Sequence, residues 1–287
     1  LFIDLFCKDQ KSGKENFISL YNALHQTNLD LKTTTLEEVN IENILYMALS
    51  NDIAILVDDR LIVLVEHQST INENMPLRLL EYVSRIYEQI IPSEDRYEKK
   101  MIKIPYPEFY VFYNGTEEYP VEKELRLSDA FLIPEDKYSK VKKISLEILV
   151  KVININIDKE NPILKQCRAL QEYSTLIELI RETKRQNPKA PLEKALSKAI
   201  NDGILEEYLK RKSTEVRNML IAEYSYETDI KVQRREAFRL GKEEGAEQKA
   251  IETAKNLLTM NLSLEQIAQA TTLPLEKIQE LASEVTK

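Results

Sequence analysis

NDIAILVDDRLIVLVEHQSTINENMPLRLLEYVSRIY, residues 51–87, holds two runs of aliphatic and β-branched residues, Ile53–Val57 and Leu61–Val65, on either side of Asp58-Asp59-Arg60. Such runs separated by a short polar trio read as an antiparallel hairpin. With the loop centred on Asp59, Asp52 falls opposite Glu66, each seven residues from that centre. Gln68 follows on the same face as Glu66, because strand side chains alternate with period two. Two carboxylates brought together beside a buried sheet repel one another and lose hydration, a cost relieved when a divalent cation takes their oxygens as ligands. Register is the sensitive step, since a slip of one residue turns Glu66 and Gln68 to the other face. The run LIVLV, residues 61–65, has no polar residue and so suits a central strand covered on both faces.

Around this hairpin the pattern is helical. Asn16–Leu24 has apolar residues at helical spacing and predicts an entry helix. Leu36–Leu49 is expected to form a second helix, with Thr35 as N-cap and Glu38 completing a capping box. Glu42 on that helix is a candidate extra acid, but an exposed helix glutamate accounts for it better. After the hairpin, Pro76 suits the first turn of a helix that ends before Pro92. Arg78, Tyr82 and Arg85 form one stripe of that helix, either a solvent-facing edge or a set of contacts for phosphate oxygens.

Further strands are predicted at Phe109–Tyr113, stopped by Asn114-Gly115, and within Ser145–Ile157. Helical spacing returns from Pro162 to Arg185, and Pro188 and Pro191 then mark a domain boundary, giving a sheet domain over 1–187 and a helical region over 188–287. The region beyond the prolines reads as helices at Leu192–Asn201, Leu205–Lys212, Thr214–Ala222 and Thr228–Met260, with Gly241 and Gly245 able to bend the last. A helix-turn-helix-like unit occupies about 255–287, where Ser263 and Pro274 start two short helices. Its final helix sets Lys277 against Glu276, Glu280 and Glu284, so packing or self-association into a homo-oligomer fits it better than reading DNA.

Composition narrows the function classes. The net charge of −8 gives no global basic signature, but Lys99, Lys100 and Lys103, the run Lys137–Lys143 and the run Lys231–Lys242 concentrate positive charge locally. Apolar runs are strand-sized, which argues against a membrane span. Cys7 and Cys167 have no metal-ligand or redox spacing, as expected for reduced thiols in a cytoplasm. With only His25 and His67 present, a histidine zinc site or a Ser-His-Asp triad has little to draw on. The chain opens Leu-Phe-Ile-Asp without an initiator Met, so residues upstream are expected.

The order strand with Asp, strand with Glu-x-Gln, helix, strand resembles the PD-(D/E)XK nuclease fold. More narrowly, NDIAILVDDRLIVLVEHQSTINENMPLRLLEYVSRIYE (51–88), PEFYVFYNG (107–115) and LRLSDAF (125–131) resemble the Rpn family of recombination-promoting nucleases and transposases, with EHQS followed by PLRLLEY the most specific part. The resemblance implies an α/β, restriction-endonuclease-like mixed sheet flanked by helices, and DNA cleavage that depends on Mg²⁺, with Mn²⁺ or Ca²⁺ as substitutes. It places Asp52 and Glu66 at the motif's acids, the His67 backbone carbonyl as a third metal ligand, and Gln68 where the wider superfamily has lysine. A neutral amide can orient a water but cannot stabilise developing negative charge as an ammonium does. The His67 side chain falls on the opposite face and reads as a core histidine. Two function classes stay open: a metal-dependent DNA endonuclease, and a catalytically silent nuclease-fold module that binds DNA or a protein.

Overall fold

A computed structural model describes residues 1–38, 52–58, 60–132, 144–187, 190–260 and 262–285. The chain divides into two units, 1–217 and 218–287. The first is built on a six-stranded mixed sheet in the order β1-β2-β3-β4-β6-β5. Its strands are β1 (Leu36–Glu38), β2 (Asp52–Val57), β3 (Arg60–Gln68), β4 (Tyr110–Tyr113), β5 (Glu122–Arg126) and β6 (Leu149–Asn154). The central three, β3, β4 and β6, run parallel, and the flanking pairs are antiparallel. The expected mixed α/β sheet with a helical C-terminal region is thus the observed fold.

The hairpin closes differently from the symmetric loop drawn from the sequence. Val57 pairs with Arg60, so the connection is two residues long, and Asp58 takes the left-handed conformation at φ 45°. Aspartate tolerates that region better than most residues, as a two-residue hairpin turn requires. Carried on unbroken, this register would set Asp52 opposite Val65. A bulge intervenes instead: Ala54 pairs with Val63 and Ile53 with Val65, leaving Leu64 as the extra residue, and Asp52 then pairs with Glu66.

The helix expected from Leu36 does not start there. Leu36–Glu38 forms β1 against Val57–Ile55 of β2, and the Thr35 N–H donates to Asp58 Oδ1 at 2.8 Å instead of opening a capping box. Strand pairing satisfies the backbone groups that the cap was meant to serve. The rest of that predicted helix, including Glu42, lies outside the described residues.

Helix α2 (Met75–Ile90) covers one face of the sheet. Met75, Leu79, Tyr82, Val83 and Ile86 pack there with Ala54, Val111, Tyr113, Val150 and Val152. Helices α1 (Gly13–His25), α3 (Pro162–Gln166) and α4 (Arg168–Gln186) form a second layer with the N-terminal turn. Phe2 links that layer to the opposite face of the sheet, lying 5.6 Å from Phe112 and 5.3 Å from Tyr173. The sequence reading missed β5, whose residues EKELR carry one buried apolar side chain, Leu125, at the polar edge of the sheet.

The proline pair does not separate the units. Helix α5 (Leu192–Asn201) packs on α4, and the start of α6 (Glu206–Leu258) is tied to the N-terminus. There Arg211 grips the buried Asp9 through two hydrogen bonds of 2.9 and 2.8 Å, Lys212 reaches both oxygens of Asp4, and the Tyr208 hydroxyl donates to Asp4 at 2.6 Å. Helix α6 has its one non-helical residue at Lys212, so neither Gly241 nor Gly245 breaks it. In the second unit, Ser263 caps α7 (Leu264–Thr271) through a capping box, and Ile267 packs with Ala254, with Ile278 and Leu281 of α8 (Leu275–Val285) and with Leu257.

Two ionic clusters in the first unit give opposite pH signatures. The Arg211 guanidinium holds the Asp9 carboxyl far below its ordinary value of 3.8, so this contribution is present above that value and lost as pH falls through the depressed one. His25 has both ring nitrogens against oxygen acceptors, Tyr21 O at 3.0 Å and Glu108 Oε2 at 2.6 Å, which favours the imidazolium and raises its pKa. Its contribution is complete below the ordinary value of 6.5 and lost as pH rises through the raised one. Arg211→Ala should therefore cost about 3 kcal/mol in urea unfolding at neutral pH, because it takes the two-pronged guanidinium from a buried carboxylate and leaves it only Ser12 and the longer contact to Lys212 at 3.4 Å. His25→Gln should flatten the decline in stability as pH rises above 6.5.

Candidate active site

The C-terminal ends of the parallel strands β3, β4 and β6 lie at Gln68, Tyr113 and Asn154, the edge at which open α/β sheets bind ligands. The Gln68 carbonyl accepts from the Asn114 N–H at 2.9 Å. Backbone groups of successive strand residues point alternately to the two neighbouring strands, so Glu66 and Gln68 turn theirs toward β4, and His67 turns its carbonyl toward β2. The Asp52–Glu66 pair is then of the non-hydrogen-bonded kind, with Cα atoms about 4.5 Å apart. Along the sheet, Glu66 is in register with Val111 and Gln68 with Tyr113, both on the α2 face, whereas His67 is in register with Phe112 on the other. The side chains of Asp52, Glu66 and His67 lie outside the described ones. Among the described residues no three His, Cys, Asp or Glu side chains are grouped to hold a metal.

Gln68 itself is buried, and its Nε2 donates to Met75 Sδ at 2.9 Å. Arg78 reaches the same sulfur with Nη1 at 3.5 Å and donates to the Tyr82 hydroxyl at 3.1 Å. A thioether is a weak acceptor, so two donors resting on it exchange readily for a better oxygen ligand. The expected stripe of Arg78, Tyr82 and Arg85 is not one surface. Tyr82 is buried in the core under α2, out of reach of DNA, because its ring completes the apolar layer over the sheet. Arg78 turns toward Gln68, and Arg85 lines a shallow hollow with Glu81, Ser84 and Glu88.

Sequence reasoning missed the polar clasp that fixes these strand ends. Arg181 of α4 donates to Asn156 Oδ1 at 3.0 Å and also to the Asn114 carbonyl. Asn156 Nδ2 donates to the Gly115 carbonyl at 3.0 Å, and buried Asn154 Nδ2 to the Tyr119 carbonyl at 3.0 Å. The available signal was the asparagine that closes each apolar run, in YVFYN (110–114) and KVININ (151–156). Gly115 lets the clasp close, because a Cβ there would overlap the Ser69 carbonyl and the Tyr113 ring. Tyr113, whose phenol is pushed up by burial, stays a neutral donor to the Glu117 carbonyl at 2.8 Å.

A mixed sheet flanked by helices, with a polar site at its parallel-strand ends, is the class of protein defined here. The family described as "Putative transposase, YhgA-like" matches residues 19–202. The chain belongs to this transposase-like family, in agreement with the resemblance carried by EHQS and PLRLLEY. The matched span holds the whole sheet and ends with α5, so the match runs past the proline pair. Comparison with curated proteins and with solved structures finds no match. No helix among the described residues is long and apolar enough to cross a membrane.

Gly115→Ala tests the clasp. Overpacking at this contact should cost about 1–3 kcal/mol in thermal or urea unfolding. Gly203→Ala, where an added Cβ meets nothing but the backbone has φ 76°, should report backbone strain alone.

Proposed function

We propose that the sheet domain is a metal-dependent DNA endonuclease acting in recombination or mobile-element movement. What supports the reading is the backbone pairing of Asp52 with Glu66 beside the Gln68–Met75–Arg78 contact, in a chain of a transposase-like family. Two acids on a non-hydrogen-bonded pair and a carbonyl turned to the same side make an all-oxygen donor set, which suits Mg²⁺ and also Mn²⁺ or Ca²⁺. When bound, the cation supplies an acidified water and a polarised phosphoryl oxygen.

Asp52, Glu66 and the His67 carbonyl are the residues assigned to hold it. Gln68 leaves the Met75 sulfur to orient the attacking water, whose oxygen bonds to phosphorus as the bridging P–O bond breaks and the departing oxygen gains a proton. Arg78 meets a non-bridging oxygen of the same phosphate, and being permanently charged it stabilises charge without taking a proton. Arg85 is a weaker phosphate contact, because Glu81 and Glu88 share its surface.

Incubation of the purified chain with supercoiled and linear DNA, in Mg²⁺ or in EDTA, tests the proposal. Cleavage should require the metal. It should fall by roughly ten- to a thousand-fold in Gln68→Ala, the range for losing one positioned hydrogen-bonding group, and further in Asp52→Ala. Absence of cleavage by the wild type on every DNA form, with Mg²⁺ or Mn²⁺, rejects the enzyme; retained DNA binding would then leave the catalytically silent module.

A further inference from the structure

The segment between α2 and β4 is anchored at both ends and exposed between them. Arg96 donates to the carbonyls of Glu88 and Ile91 at 3.0 and 3.2 Å, capping the C-terminus of α2, and the Tyr87 hydroxyl donates to the Pro105 carbonyl at 2.6 Å. Between these anchors the chain arches outward. Tyr97 is 89% exposed, Met101 81% and Tyr106 70%, with Ile104 also exposed. Large apolar side chains exposed singly are ordinary, but four within ten residues on an anchored arch mark a contact surface.

Lys99, Lys100 and Lys103 are interleaved with them, all exposed, and none forms an ion pair with a described residue. The nearest acids in sequence are Glu98 within the arch, Glu94 and Asp95 before it, and Glu108 after it, which is held by His25 Nε2 at 2.6 Å. From Lys99 to Pro107 the segment carries three cations and no carboxylate, in a chain whose net charge is −8. Exposed lysines without a described ion-pair partner, flanked on either side by the tyrosine rings of Tyr97 and Tyr106, match the phosphates and sugars of a duplex backbone.

We propose that this arch is a second DNA contact, gripping duplex beyond the cleavage site. The inference rests on the endonuclease reading and extends it, because the arch stands at the far end of α2 from Gln68. A helix of 16 residues is about 24 Å long, so the contact falls roughly seven base pairs from the cut.

Binding of a fluorescent 30-base-pair duplex, measured in Ca²⁺ across a salt series, tests it. The triple variant Lys99→Ala, Lys100→Ala, Lys103→Ala should lower the slope of log affinity against log salt by about 2.7, the loss of three phosphate contacts. The variant Tyr97→Ala, Tyr106→Ala, which removes two neutral contacts to the sugar-phosphate backbone, should weaken binding about tenfold with the slope unchanged. Melting temperatures should hold in both, since these side chains are exposed. A wild-type slope in the triple variant overturns the arch and leaves the endonuclease standing, whereas a wild type with no DNA affinity overturns both. Binding of the wild type to phosphatidylserine vesicles, lost in the triple variant while its DNA slope is unchanged, would make the arch a lipid contact and also overturn the proposal.

Discussion

One extra residue in β3 governs what the sheet can present at its edge. A two-residue hairpin turn and a straight ladder would pair Asp52 with Val65 and send Glu66 and Gln68 to the face of Phe112. The bulge at Leu64 adds the single position that reverses this parity, so that the backbone pairs Asp52 with Glu66 and aligns positions 66 and 68 with Val111 and Tyr113. Bulges interrupt a ladder at some cost, and here the interruption sits between the turn that fixes the hairpin and the residues that fix the site. The same polar residues on the opposite face would meet an aromatic layer in which Phe2 lies beside Phe112.

Much of this was legible beforehand, and the reason differs between elements. The hairpin, α2 and β4 show strong periodicity bounded by Pro76, Pro92 and Asn114-Gly115, and local pattern suffices for such segments. The pairing of Asp52 with Glu66 was reached through an assumed three-residue loop, whereas the chain reaches it through a shorter turn and a bulge. Both routes insert one residue, so the pair is the same. What local pattern could not carry was tertiary context. Leu36–Glu38 has helical spacing downstream and a cap upstream, yet an unpaired edge of β2 offers it a ladder. Glu122–Arg126 reads as a charged loop because an outer edge strand needs only one buried side chain.

The position of the proline pair teaches a similar point. Pro188 and Pro191 interrupt helices, but a domain ends where contacts end, and those of α5 with α4 and of Arg211 with Asp9 continue beyond them. Asp9 is invisible to pattern reading as a buried anion, since nothing in FCKDQK (6–11) marks it. Its partner lies about 200 residues away, at a separation only the folded chain can close.

On the proposed metal-site reading, charge accounts for a neutral Gln68 at the position where the resemblance implies a lysine. Two adjacent carboxylates are strained unless positive charge stands near them, and a divalent ion offsets that strain only while it is bound. Arg78, set on the rigid helix that covers the site and sharing the Met75 sulfur with Gln68, brings a charge that no pH change removes. An ammonium at position 68 would compete directly with the metal for the same oxygens. A guanidinium one helical turn along from Met75 would, on that reading, meet the phosphate instead. On the proposed reading the two tasks are divided, with the strand's amide placing the water and the helix's arginine meeting the phosphate. Both donors are held meanwhile on a sulfur weak enough to release them.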